Sequence, residues 1–169
     1  MIPDFGKIRI VHLPCDILGQ SGSILREAGR FGEEAFVLWA GYFRTDSEFL
    51  VTTAIRPEQR AMKSPMGVGV YVDGEELFRI NRWLFANERV LLGQVHSHPT
   101  AAFHSDTDDR FPLVTAVGQF SVVVPSFARA PFTDLSRCAV FRLNSRGRWG
   151  VVPKGEVGRM FAVIHNGPR

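Results

Sequence analysis

Residues 95–109 run Val95-His96-Ser97-His98-Pro99-Thr100-Ala101-Ala102-Phe103-His104-Ser105-Asp106-Thr107-Asp108-Asp109, and they hold three of the chain's five histidines and three of its seventeen acidic residues. Two histidines one residue apart on an extended segment project their rings from the same face. Neutral imidazole is the commonest metal ligand among side chains. A carboxylate from Asp106, Asp108 or Asp109 on the following loop would complete three ligands, the set with which a catalytic zinc keeps its fourth position for water. A lone His-x-His also occurs on ordinary strand surfaces. The proline directly behind this pair and the serine and aspartates downstream set it apart.

The elements that must position these residues follow from the hydrophobic pattern. Val90-Leu91-Leu92-Gly93-Gln94-Val95 is a short apolar run stopped by His98-Pro99, which predicts a buried strand carrying both histidines at its end. Glu33-Glu34 precede Ala35-Phe36-Val37-Leu38-Trp39-Ala40-Gly41-Tyr42-Phe43, a strand apolar on both faces and therefore central in a sheet covered on both sides. Phe49–Ile55 is predicted to hairpin onto it. Lys7–Pro14 predicts an opening strand with His12 on the solvent side or at an edge, and Asp16 to about Gly29 a helix with Asp16 as N-cap and Gly29 as its stop. Residues 56–67, with Pro57 and Pro65, predict a surface loop that is a candidate substrate-contacting element. Glu75–Ala86 predicts a helix whose Leu77, Ile80, Trp83 and Leu84, widened by Phe78 and Phe85, pack on the sheet. A short helix is expected around 107–117, a strand over Phe120–Val124 and a hairpin from 137–143 and 148–152 about Asn144-Ser145-Arg146-Gly147. Residues 156–164 fit strand or helix equally. The whole is expected to be α/β or α+β, one mixed sheet flanked by helices.

Composition narrows the function classes. The 169 residues are 45% hydrophobic and 22% charged, ordinary for one globular domain. No apolar run approaches the ~20 residues of a membrane helix and no secretory pattern opens the chain, so a soluble, cytoplasmic protein with no membrane partner is expected. Cys15 and Cys138 form neither a disulfide framework nor a C-x-x-C pair. The net charge is +3 with a pI near 9.2, but the basic residues are scattered, and no nucleic-acid partner is expected.

Glu34-x-x-x-Leu38-x-x-Gly41, then His96-x-His98-Pro99, then Ser105-x-x-Asp108 together resemble the JAMM (JAB/MPN) zinc metallopeptidase motif, over roughly Glu34 to Val124. The resemblance implies a single JAB/MPN-type domain over residues 1–169, with a cytidine-deaminase-like core of mixed sheet between helices. It implies one zinc ion held by His96, His98 and Asp108. It makes Glu34 the general base that takes a proton from water and passes it to the leaving amine, and Ser105 a hydrogen-bond donor to the tetrahedral intermediate. The loop from His98 to Ser105 is one residue shorter than the family's usual spacing, which leaves Asp109 as the alternative third ligand. Gly41, seven residues on, selects Glu34 over Glu33, and His104 is an extra imidazole beside the site. The single-domain length is similar to stand-alone prokaryotic members that deconjugate or process ubiquitin-like proteins beside E1-like and E2-like proteins, including those of anti-phage operons. Alternatives are processing of a sulfur-carrier protein and a metal-free MPN-type binding scaffold.

Overall fold

The apolar run at residues 36–41 becomes the middle of the sheet because neither of its faces can meet water. In this computed structural model, which describes residues 3–65, 67–103 and 112–165, strand β2 (Phe36–Thr45) lies between β3 (Glu48–Ile55) and β6 (Val90–Ser97), antiparallel to both. The order of the eight-stranded sheet is β10-β1-β3-β2-β6-β7-β8-β9, with β1 at Ile10–Pro14, β7 at Phe120–Val124, β8 at Ala139–Leu143, β9 at Trp149–Val151 and β10 at Phe161–Ile164. Parallel pairs β1/β10, β1/β3 and β6/β7 make the sheet mixed. The α+β architecture expected from the pattern is the observed one.

Alternation along β2 divides the core. Val37 and Trp39 face the larger cluster, which α1 (Cys15–Gly29) covers with Ile17, Leu18 and Leu25. Leu38 and Ala40 face the smaller one, closed by Ile80 and Leu84 of α2 (Gly74–Ala86). The Trp39 indole N–H would be an orphan in that core; it donates to Ser21 Oγ of α1 at 2.9 Å. Gly41 sits where β2 shifts register against β3. A Cβ there would stand 1.9 Å from Leu50 O, so the close approach of the two backbones requires glycine.

Several expectations need correction. Pro14, not Asp16, is the N-cap of α1. Gly29 does end α1, but a Cβ on it would also meet Phe127 Cβ at 2.4 Å, so the residue is demanded by packing. The loop expected over 56–67 gives way to strand: β4 (Arg60–Ser64) pairs antiparallel with β5 (Gly67–Tyr71) as a separate hairpin. Every residue of β4 is exposed, so no apolar alternation could reveal it. Residues 112–117 hold no helix, and 107–111 lie outside the described residues. Residues 154–164 are both things in turn, α3 (Lys154–Met160) and then β10. On α2, Phe78 and Phe85 are 66% and 89% exposed, and the buried stripe is Glu76, Ile80 and Leu84. His12 is on an interior strand rather than an edge, on the half-exposed side of β1, and pairs with Glu48 at 2.8 Å. Cys138 is buried, which pushes its thiol pKa up to about 12 and leaves it an inert core residue. No helix among the described residues is long and apolar enough to cross a membrane.

Candidate metal centre

His96 lies at the C-terminal end of β6 and His98 is the first residue beyond it. His96 is 1% exposed and His98 3%. Their Nε2 atoms converge to 3.2 Å. Two nitrogens bound to one tetrahedral zinc at ~2.0–2.1 Å would stand about 3.3 Å apart, so the pair has the separation of two ligands to a single ion. Aromatic rings hold the imidazoles in place. Phe36 lies 4.9 Å from the His96 ring, and Phe103 meets the His98 ring edge-on at 4.6 Å.

Glu34 belongs to the same face by register. Phe36 pairs with His96, and Ser97 N–H donates to Ala35 O at 3.4 Å. Continuing that antiparallel register by two residues sets Glu34 opposite His98, and residues opposite one another share a face. Glu33 falls on the other face. Glu34 is half-buried, just ahead of the first residue of β2.

The backbone around the pair is held from three directions. His98 N–H donates to Val124 O of β7 at 2.9 Å, and His98 O accepts from Phe127 N–H at 2.8 Å. Ser126 N–H donates to Thr100 O at 2.8 Å. These two donors belong to a left-handed turn in which Ser126, Phe127 and Ala128 have φ of 53°, 52° and 54°. Non-glycine residues there cost about 1–2 kcal/mol each, and the surroundings over-determine the turn: Phe127 packs on Gly29 and Arg26 Nε donates to Ala128 O. On the other side, Gln59 Oε1 accepts from Phe36 N–H at 2.6 Å and Gln59 Nε2 donates to Phe36 O at 3.0 Å. A cleft of about 560 Å³ opens beside Gln59, lined by Arg56, Pro57, Glu58, Arg60, Tyr71 and Asp73.

Ser105, Asp108, Asp109 and His104 lie outside the described residues. Among the described residues no group of three or more His, Cys, Asp or Glu side chains gathers as a metal site. The ends of the segment that carries those four residues are placed. Phe103 leaves from the His98 ring. Leu113 N–H and Val114 N–H return to Gln94 Oε1, at 2.8 and 3.3 Å. Gln94 is fully buried, pairs with Leu38 in register, and also donates to Ser121 Oγ at 3.3 Å. Sequence reasoning passed over Gln94, Gln59 and the turn at 126–128. A lone amide inside the apolar run 90–95 was a legible signal for Gln94, and nothing local marked the other two.

No protein-family model matches this chain. "Probable metalloprotease y4jG" of Sinorhizobium fredii (strain NBRC 101917 / NGR234) is 40% identical over 156 residues, which span 92% of this chain and 95% of that protein. The chain belongs to that metalloprotease-like family. Protein DSY2949 from Desulfitobacterium hafniense, known from a solution structure, matches with a TM-score of 0.63 over 93% of this chain and 94% of its own, at 19% identity. That likeness shows a shared fold. A metalloprotease-like family implies a metal ion, and the convergent, buried Nε2 pair fits one.

Proposed function

We propose that this protein is a JAMM-type zinc peptidase that hydrolyses the peptide or isopeptide bond after the C-terminus of a ubiquitin-like protein. The observation that supports the reading is the pair of buried Nε2 atoms 3.2 Å apart, toward which the β2/β6 register, continued two residues beyond Phe36 and His96, brings Glu34. A zinc ion held by His96, His98 and Asp108 would supply Lewis acidity and lower the pKa of a water to about 7. Glu34 accepts a proton from the attacking water as its oxygen adds to the scissile carbonyl. It then delivers that proton to the amine nitrogen as the C–N bond breaks. Ser105 donates a hydrogen bond to the oxyanion in between, a contact of the kind whose loss costs about 10²–10³ in rate. A Gly-Gly tail suits a site flanked by Phe36 and Phe103, because glycine lets the substrate backbone approach closely. A bacterial conjugation system with E1-like and E2-like partners, of the anti-phage kind, is the setting that this reading favours.

The test is elemental analysis of the purified protein together with cleavage of a ubiquitin-fold protein fused through its Gly-Gly terminus to a fluorescent protein. One zinc per chain and cleavage are expected. His96→Ala should lose both, and Glu34→Ala should keep the metal while kcat falls about 10²–10⁴-fold. Unchanged cleavage by either variant, or wild-type protein without metal, overturns the reading. Cleavage confined to a sulfur-carrier precursor offered in parallel would move the substrate assignment there.

A further inference from the structure

We infer that Gln59 is a positioning residue for Glu34: its side-chain amide stands in for a missing strand and fixes the start of β2 against the histidine pair. The inference rests on the role proposed for Glu34. Strand β3 ends at Ile55, opposite Leu38. Two residues further the register would bring Pro57 opposite Phe36, and Pro57 has no N–H to give the ladder. Ser97 bonds to Ala35 on the β6 side, so the N–H and C=O of Phe36 point the other way, toward the place that β3 has left.

Gln59 fills it. Its Oε1 accepts the Phe36 N–H at 2.6 Å, and its Nε2 donates to Phe36 O at 3.0 Å and to Pro57 O at 3.2 Å. One carboxamide thus makes both bonds that an ordinary strand residue makes with its backbone. Phe36 is two residues from Glu34, and its ring lies on His96, so the amide sits at the hinge between the proposed metal ligand and base.

The amide is itself fixed from α2. Glu76 is 5% exposed, and its Oε1 accepts the Glu58 N–H at 2.9 Å. Arg79 donates to both Glu76 oxygens at 2.6 Å. Without Glu76 the segment carrying Gln59 would lose its tether, and without Gln59 the first residues of β2 would be paired on one side alone. Strand ends paired on one side fray, and a displacement of ~1 Å at a reacting group lowers rate about 10²-fold.

Gln59→Met keeps the length of the side chain and removes all three bonds; Gln59→Glu keeps the acceptor and removes the donors. Two readouts decide the inference. The first needs no activity. Phe36/His96 is a non-hydrogen-bonded pair and, with the register continued, Glu34/His98 is the next such pair, with Cα atoms about 4.5 Å apart, close enough for Hα–Hα nuclear Overhauser effects. Wild-type protein should show both contacts. Gln59→Met should lose the Glu34–His98 contact and keep those deeper in β2, with Gln59→Glu intermediate. The second is cleavage of the fluorescent fusion, where kcat of Gln59→Met should fall about 10–100-fold with KM within about twofold and zinc content unchanged. A persistent Glu34–His98 contact in Gln59→Met overturns the inference, as does its loss with kcat unchanged. If wild-type protein cleaves nothing, the peptidase reading fails by itself and the contact alone decides what Gln59 does.

Discussion

Replacing Gln94 with methionine isolates one amide at the centre of the site, because methionine keeps the length of the side chain and leaves little cavity. Gln94 is 0% exposed, and its Oε1 accepts from Leu113 N–H at 2.8 Å and Val114 N–H at 3.3 Å while its Nε2 donates to Ser121 Oγ at 3.3 Å. An orphaned buried donor costs about 1–3 kcal/mol. Leu113 is only partly buried and can recruit water, whereas Val114 is 2% exposed. The two longer bonds weigh less than the short one. The sum is about 3 kcal/mol, a drop of about 6–12 °C in Tm for a domain of this size. Calorimetry at pH 7 reads it directly. A second consequence separates a simple core defect from a site defect. Leu113 N–H is tied to Gln94 just after the stretch that holds Ser105 and Asp108, so, on the ligand set proposed above, loosening it should weaken zinc binding about 10-fold, measured by competition with a chelating dye. A Tm change under about 2 °C would refute the anchoring argument. A full Tm loss with unchanged zinc affinity would place the third ligand elsewhere than on this segment.

Two further outcomes follow from strain and charge. Ser126→Gly should raise Tm by about 1–4 °C, since the exposed residue sits at φ 53°: relief of ~1–2 kcal/mol of left-handed strain exceeds the ~0.5–1 kcal/mol of added chain entropy, and a lower Tm would show that the serine side chain is itself required. Glu76 has its pKa held below the ordinary 4.5, first by the hydrogen bonds from Arg79, with further lowering by the Glu58 N–H and opposition from burial. A depressed folded-state pKa contributes stability above the unfolded value that fades as pH falls through the folded one. Urea titrations should therefore show wild type more stable than Glu76→Gln at pH 7, with the gap closing below pH ~4.5, and a gap constant down to pH 3 would contradict the assignment.

What was legible in the sequence had a period or a punctuation mark. His96-x-His98-Pro99 combines both: the period of two puts the rings on one face, and the proline ends the strand there. The apolar run around Val37–Ala40 had no polar face to offer water, so its central place in the sheet was fixed before any partner was known. Strand β4 carried no such mark, because an all-exposed strand has no burial to leave a pattern in its residues. Of the helix expected around 107–117, the described part, 112–117, is not helical for another reason. The backbone donors of residues 113 and 114 are taken by Gln94, a contact from a distant strand.

Helix α2 shows why aromatic spacing misled. Ile80 and Leu84 are buried as the apolar stripe requires, but Phe78 and Phe85 fall on the opposite side of the helix beside Asn81 and Arg82 and face solvent, and Glu76 is buried next to Ile80. A buried carboxylate is costly unless its bonds are made. Here they are: Glu76 accepts the Glu58 N–H and two donors from Arg79. The rotation that buries Ile80 and Leu84 in the core also brings Glu76 to the 57–59 segment, and that segment hands Gln59 to Phe36. That orientation leaves the backbone donors of both Phe36 and Glu58 paired.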